Sequence, residues 1–153
     1  MASSCNTIIQ SLAKGVFDES LKAAATLYPG HVVEVASSTT CQKNGTAASN
    51  AIPCVAVEMR ELNKGTTDAY AQNDRVRRYF PRRGEQVFLR VAAAATAITF
   101  GAFLETSNDG TVMILGSDAA TDQTQRISVI AQALEAVDNS GGGTEVFVLA
   151  QIV

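Results

Sequence analysis

Residues 98–115 read Ile98-Thr99-Phe100-Gly101-Ala102-Phe103-Leu104-Glu105-Thr106-Ser107-Asn108-Asp109-Gly110-Thr111-Val112-Met113-Ile114-Leu115. Two runs rich in β-branched and aromatic residues flank Asn108-Asp109-Gly110, a tripeptide that tolerates positive φ. The stretch predicts a strand over Ile98–Glu105, a hairpin turn, and a second strand over Thr111–Leu115. The same texture runs in both directions. Upstream, Val32–Val35, Cys54–Met59, Arg75–Phe80 and Gln86–Val91 are short β-forming runs, with Asn44-Gly45 placed to close a hairpin and Pro81 and Gly84 breaking the chain between the last two. Residues 92–97, four alanines followed by Thr96 and Ala97, favour helix on propensity but are too few to hold one, and are expected to form a tight connection. Downstream, residues 127–134 fit either period: alternation puts Ile127, Val129, Ala131 and Ala133 on one face, whereas a helix would group Ile127, Ile130 and Leu134. The strand is preferred because strands precede and follow it, the last of them over Glu145–Val153 after Gly141-Gly142-Gly143.

Strands separated by glycine or asparagine turns every eight to twelve residues predict an all-β fold, a small β-barrel or β-sandwich of β-tulip type. The expected organisation is an N-terminal arm over residues 1–27 and a β-barrel domain over residues 28–153. In the arm, Ile8, Ile9, Leu12, Val16, Leu21 and Ala25 recur at spacings of three to five, which suits short helical turns broken at Gly15 and stopped by Tyr28-Pro29-Gly30.

Composition sets limits on function. The 153 residues are 46% apolar and 18% charged with a net charge of −3, a balance that excludes a disordered chain and gives no bulk attraction to nucleic acid or anionic lipid. No window approaches the roughly 18 apolar residues of a membrane span. Met1-Ala2-Ser3-Ser4-Cys5 lacks the basic and apolar regions of a secretory signal, and Cys5, Cys41 and Cys54 form neither a disulfide framework nor a Cys-x-x-Cys pair. A reducing cytosol is the expected site of folding. His31 is the single histidine, so no multi-histidine metal site is expected.

Nothing in the sequence marks catalysis. Cys54 lies in an apolar run, where cysteine acts as a small hydrophobe, and neither it nor Cys41 has a marked base. Asp18-Glu19 and Asp118/Asp122 read as solvated or capping carboxylates. No cofactor is expected.

The most unusual segment is Arg75-Val76-Arg77-Arg78-Tyr79-Phe80-Pro81-Arg82-Arg83, with five of the twelve basic residues in nine positions. As a strand it puts Arg75, Arg77 and Tyr79 on one face and Val76, Arg78 and Phe80 on the other. Three readings fit: an edge strand whose charges oppose aggregation, an acidic protein partner met by bidentate arginines, or phosphates with Tyr79 and Phe80 stacked on bases. The final strand is apolar on both faces, so it is buried twice within the domain or its outer face meets another subunit. The arm's Ile8, Ile9, Leu12, Phe17 and Leu21 likewise need a surface to cover, on this subunit or a neighbour.

In order, Tyr28-Pro29-Gly30-His31-Val32-Val33, Val55-Ala56-Val57, Asp74-Arg75-Val76, Pro81 with Gly84-Glu85-Gln86-Val87, Ile98 with Gly101 and Leu104, Ser107–Val112, and Ile130-Ala131-Gln132-Ala133-Leu134-Glu135-Ala136 ahead of an apolar strand resemble the tailed-phage capsid decoration, or cement, proteins. The resemblance covers residues 28–153. It implies a non-enzymatic virion protein, made in the host cytoplasm, that binds the outer face of the mature capsid. There it bridges neighbouring capsomers of the major capsid protein as a homotrimer and stiffens the shell against internal DNA pressure. The expected capsid contacts are Ile8, Leu12, Phe17 and Leu21 of the arm with Arg75, Arg77, Arg78, Arg82 and Arg83. Phe147, Leu149 and Ile152 are the expected self-association residues. Replacing the five arginines with serine is expected to weaken attachment and spare the fold. The alternative is a nucleic-acid-binding barrel that uses the arginine cluster.

Overall fold

A computed structural model of the chain describes residues 5–47, 51–116 and 128–153. In chain order its strands are β1 Val16–Asp18, β2 Lys22–Ala23, β3 Val33–Val35, β4 Thr40–Lys43, β5 Val55–Ala56, β6 Arg78–Phe80, β7 Gln86–Val91, β8 Phe103–Thr106, β9 Val112–Ile114, β10 Val129–Ala133 and β11 Val146–Ile152. The fold is all-β, and of the two expected forms it is the barrel. Strands β10-β11-β7-β9-β8 close on themselves, and two three-stranded sheets, β1-β6-β5 and β2-β4-β3, flank them.

The barrel is built on β7 and β11, antiparallel from Val146↔Val91 to Gln151↔Gln86. Paired residues share a face, so Val87, Leu89 and Val91 point inward with Val148, Ala150 and Ile152, and all are buried. Ala131, Ala133 and Leu104 fill the rest of the ring. Five strands enclose little space, and three alanines among the inward residues suit so narrow a ring.

β7 has β11 along one edge. Its other edge is completed in pieces: Phe88 N–H donates to Ile8 O (2.8 Å), Gln10 N–H to Gln86 O (2.9 Å) and Arg90 N–H to Gly30 O (3.0 Å), and Val91 pairs with Val112. Ile8 is therefore fully buried, held also by a bond from its N–H to Glu58 Oε2 (3.0 Å).

The arm is extended where helical turns were expected. β1 pairs with β6 and β2 runs parallel to β4. These long-range ladders bury Leu21 and outweigh the weak helical pattern of a Gly-interrupted segment. Gly15 is fixed by close approach rather than flexibility, since a Cβ there would lie 2.1 Å from Phe80 O. Gly15→Ala is expected to lower stability by about 1–3 kcal/mol, measured by urea unfolding. An unchanged midpoint would mean the arm does not sit against β6.

Elsewhere the turn chemistry is partly as expected. Asn108-Asp109-Gly110 does turn the chain, with Gly110 at φ 78° and Ser107 N–H bonded to Thr111 O (2.8 Å). Asn44-Gly45 does not close a hairpin. The β3–β4 turn lies at Ser37–Thr39, where Ser37 Oγ accepts from Thr39 and Thr40 N–H, while Asn44 is drawn inward by Val32 O and Glu34. The alanine run is a connection with Ala94 at φ 54°. The strand expected from Ile98 starts at Phe103, because Gly101 (φ 80°) turns the chain after Ile98 pairs with Val137. Residues 129–133 form a strand, and Ile127, Asp118 and Asp122 lie outside the described residues.

Candidate binding surface

Glu85 is a buried carboxylate that joins two distant pieces of chain. It accepts from Lys14 N–H (2.6 Å), Arg82 N–H and the Tyr79 hydroxyl (2.6 Å), whose oxygen in turn accepts from Gly15 N–H (2.9 Å). Burial opposes its charge, but these donors together hold its carboxyl below the ordinary range. The consequence is positional. Lys14, Arg82 and Arg83 are brought to one shallow concavity lined also by Ser11 and Leu12. All three cations are exposed, and no described acid pairs with them. Leu12, at 80% exposed, and Val16 and Phe17, on opposite faces of the edge strand β1, add exposed apolar side chains along the same stretch of chain.

The structure divides the arginine cluster. Arg75, Arg82 and Arg83 face outward. Arg77 is held between Glu19 and Glu61. Arg78 is only 4% exposed and paired with Asp18, so its guanidinium is not part of the outward cationic surface. Nor is the segment an edge, because β6 lies between β1 and β5. Replacing all five arginines would strip Asp18 of its buried partner and damage the fold. Ile8 and Leu21, also expected at a capsid interface, are internal, and Leu12 and Phe17 remain available. Of the expected self-association residues, Ile152 points into the barrel. Phe147 is half-buried with its ring against Arg90 (4.7 Å to the guanidinium carbon), and Leu149 is half-buried. Lys14 was not among the expected contacts. Its only pointer in the sequence is Glu85, seventy-one residues away.

A second ionic cluster is internal. Arg90 lies between the rings of Tyr28 (4.9 Å) and Phe147 and donates to Pro29 O (2.7 Å), Thr66 O (3.0 Å) and Glu145 Oε2 (2.9 Å). His31, fully buried, accepts from Tyr28 N–H at Nδ1 (3.0 Å), which leaves Nε2–H to donate to Glu145 (3.1 Å). Both ring nitrogens are thus engaged, and the imidazole has no free position for acid–base work. Burial pushes the His31 pKa down against the pull of Glu145. Burial disfavours the Glu145 charge as well, but His31 and Arg90 outweigh it and hold that pKa at about 2.

Both shifts are depressions, so their stabilisation is complete above the unfolded values, near 6.5 for His and 4.5 for Glu. It is lost as pH falls. Stability, read as melting temperature, is expected to decline from pH 6.5 downward and most steeply between 4.5 and about 2, with a free-energy loss of order 2 kcal/mol after solvent screening. Melts across that range check it, and a flat profile to pH 3 would contradict the cluster's charge state.

The thiols fit their apolar surroundings: burial pushes Cys54 and Cys5 up to about 12 and raises Cys41 as well. Among the described residues no group of three His, Cys, Asp or Glu side chains is placed to hold a metal ion, and no helix is long and apolar enough to cross a membrane. No protein-family model matches the chain, and no curated protein matches it.

Proposed function

We propose that this protein decorates the outer surface of a mature phage capsid, bridging neighbouring capsomers, as a homotrimer, and stiffening the shell. The observation that carries the reading is the patch of Lys14, Arg82 and Arg83, exposed and with no partner acid among the described residues of an acidic protein, near the exposed apolar side chains of Leu12, Val16 and Phe17. Mixed cationic and apolar surface suits contact with an acidic protein face. Modest affinity per site multiplies when a trimer meets a repeating lattice. The sequence resemblance points the same way. The nucleic-acid reading is weakened because Tyr79, one of its two stacking rings, is fully buried under Phe17 (4.7 Å between centroids).

Co-sedimentation with expanded and unexpanded shells of the source virus tests the proposal. Saturable binding confined to expanded shells is the expected result, and binding to neither overturns it.

A further inference from the structure

Two buried side-chain atoms among the described residues have no hydrogen-bond partner, Asn44 Oδ1 and Arg78 Nε. Both residues line the same cavity, of about 280 Å³, where β3 and the segment before β5 diverge. Each is 4% exposed, so neither atom finds a partner by swinging into bulk water. The remaining wall is largely apolar, with Val33, Cys54 and Phe80 within and Val35 and Ile52, 63% and 73% exposed, flanking it.

We propose that this cavity is a binding site for an extended segment of a partner protein. The segment adds to the open edge of β3, seats one aliphatic side chain in the cavity, and offers a backbone peptide group to Asn44 and Arg78.

Three observations specify that occupant. The unpaired atoms are one N–H donor and one oxygen acceptor, the complement of a single peptide group with its one C=O and one N–H. An anion is disfavoured, because Asp18 already neutralises Arg78 and the Glu34 carboxylate, held by Gln42 and Asn44, forms part of the wall. Among the described residues the edge itself is open. β3 ends its sheet, and Val33 N–H donates across to Cys54 O (2.9 Å), but no described strand pairs with that side of β3 further on. Strand alternation turns the Val35 N–H and C=O in the same direction as those of Val33. A volume near the lower limit for small-molecule pockets suits one side chain better than a cofactor, and backbone pairing plus one side-chain pocket is how strand addition works. The inference does not rest on the capsid reading.

The test is a titration of ¹⁵N-labelled protein with a blocked tripeptide, acetyl-valyl-leucyl-valyl N-methylamide. The expected result is saturable movement of the Val35 amide, the Asn44 side-chain amide and the Arg78 Nε–H, with a millimolar dissociation constant. Ile52→Lys, at an exposed position that leaves the core intact, is expected to weaken it roughly tenfold. 4-Methyl-1-pentanol carries the same aliphatic tail without a peptide group, and is expected to bind about tenfold more weakly or less. Absence of saturable shifts at those three signals overturns the proposal. So does equal binding of the alcohol, or undiminished binding by Ile52→Lys.

Discussion

Glu145→Ala is expected to remove about 3 kcal/mol of stability and lower the melting temperature by roughly 6–12 °C. Glu145 is the acceptor that both Arg90 and His31 share, and Arg90 is nearly buried between two rings. Truncation leaves a guanidinium with one charge and no counter-ion in a shielded site, and leaves His31 Nε2–H without an acceptor. Domains of this size are stable by only about 5–15 kcal/mol, so the loss is a large share of the whole. Glu145→Gln keeps an acceptor oxygen while removing the charge, and is expected to cost less and to shrink the steepest part of the acid limb of the melting profile, leaving the share of Glu85 and His31. Calorimetry of the two variants separates the hydrogen bonds from the charge. A shift below about 2 °C for Glu145→Ala would show that the cluster contributes little to the fold.

Reversal of the exposed cations, Lys14→Glu with Arg82→Glu and Arg83→Glu, is expected to weaken attachment to expanded shells by about 100-fold or more at moderate salt, at roughly 1 kcal/mol for each of the three residues. The fold should be unaffected, because none of the three side chains pairs with a described acid. The contrast is Arg78→Ser, which removes a core ion pair and is expected to lower stability. Sedimentation with shells reads attachment, and circular dichroism reads the fold. Wild-type attachment by the triple variant would separate the cationic patch from capsid binding.

The strands that were legible in the sequence are those whose partners leave a local imprint. β7 and β11 are strands of six and seven residues in mainly apolar runs, and β10 resolves once its neighbours are strands. β1 and β2 were not legible: strands of three and two residues carry no period, and β1 owes its place to residues about sixty positions later. The arginine cluster was visible as composition, and its division was half visible. Alternation already grouped Arg78 with Val76, and both proved to be buried, although Tyr79 on the other face is buried as well. Asn44 misled because its N–H donates to Val32 O and so continues the β3–β4 pairing, with its side chain turned inward. Here that side chain bonds Glu34. Lys14 owes its place in the cationic patch to a bond that spans half the sequence, and no window around it records that.

The piecewise edge of β7 bears on how the chain is made. Ile8 emerges from the ribosome eighty residues before Phe88, the residue whose amide it accepts. At about 5–20 residues per second that is roughly 4–16 s before the strand it pairs with has been made. Leu149, opposite Phe88 on the other side, follows sixty-one residues later still. Barrel closure is therefore a late event in biosynthesis, and the newborn chain spends those seconds with its first adhesive residues uncommitted, the interval in which a chaperone has something to hold.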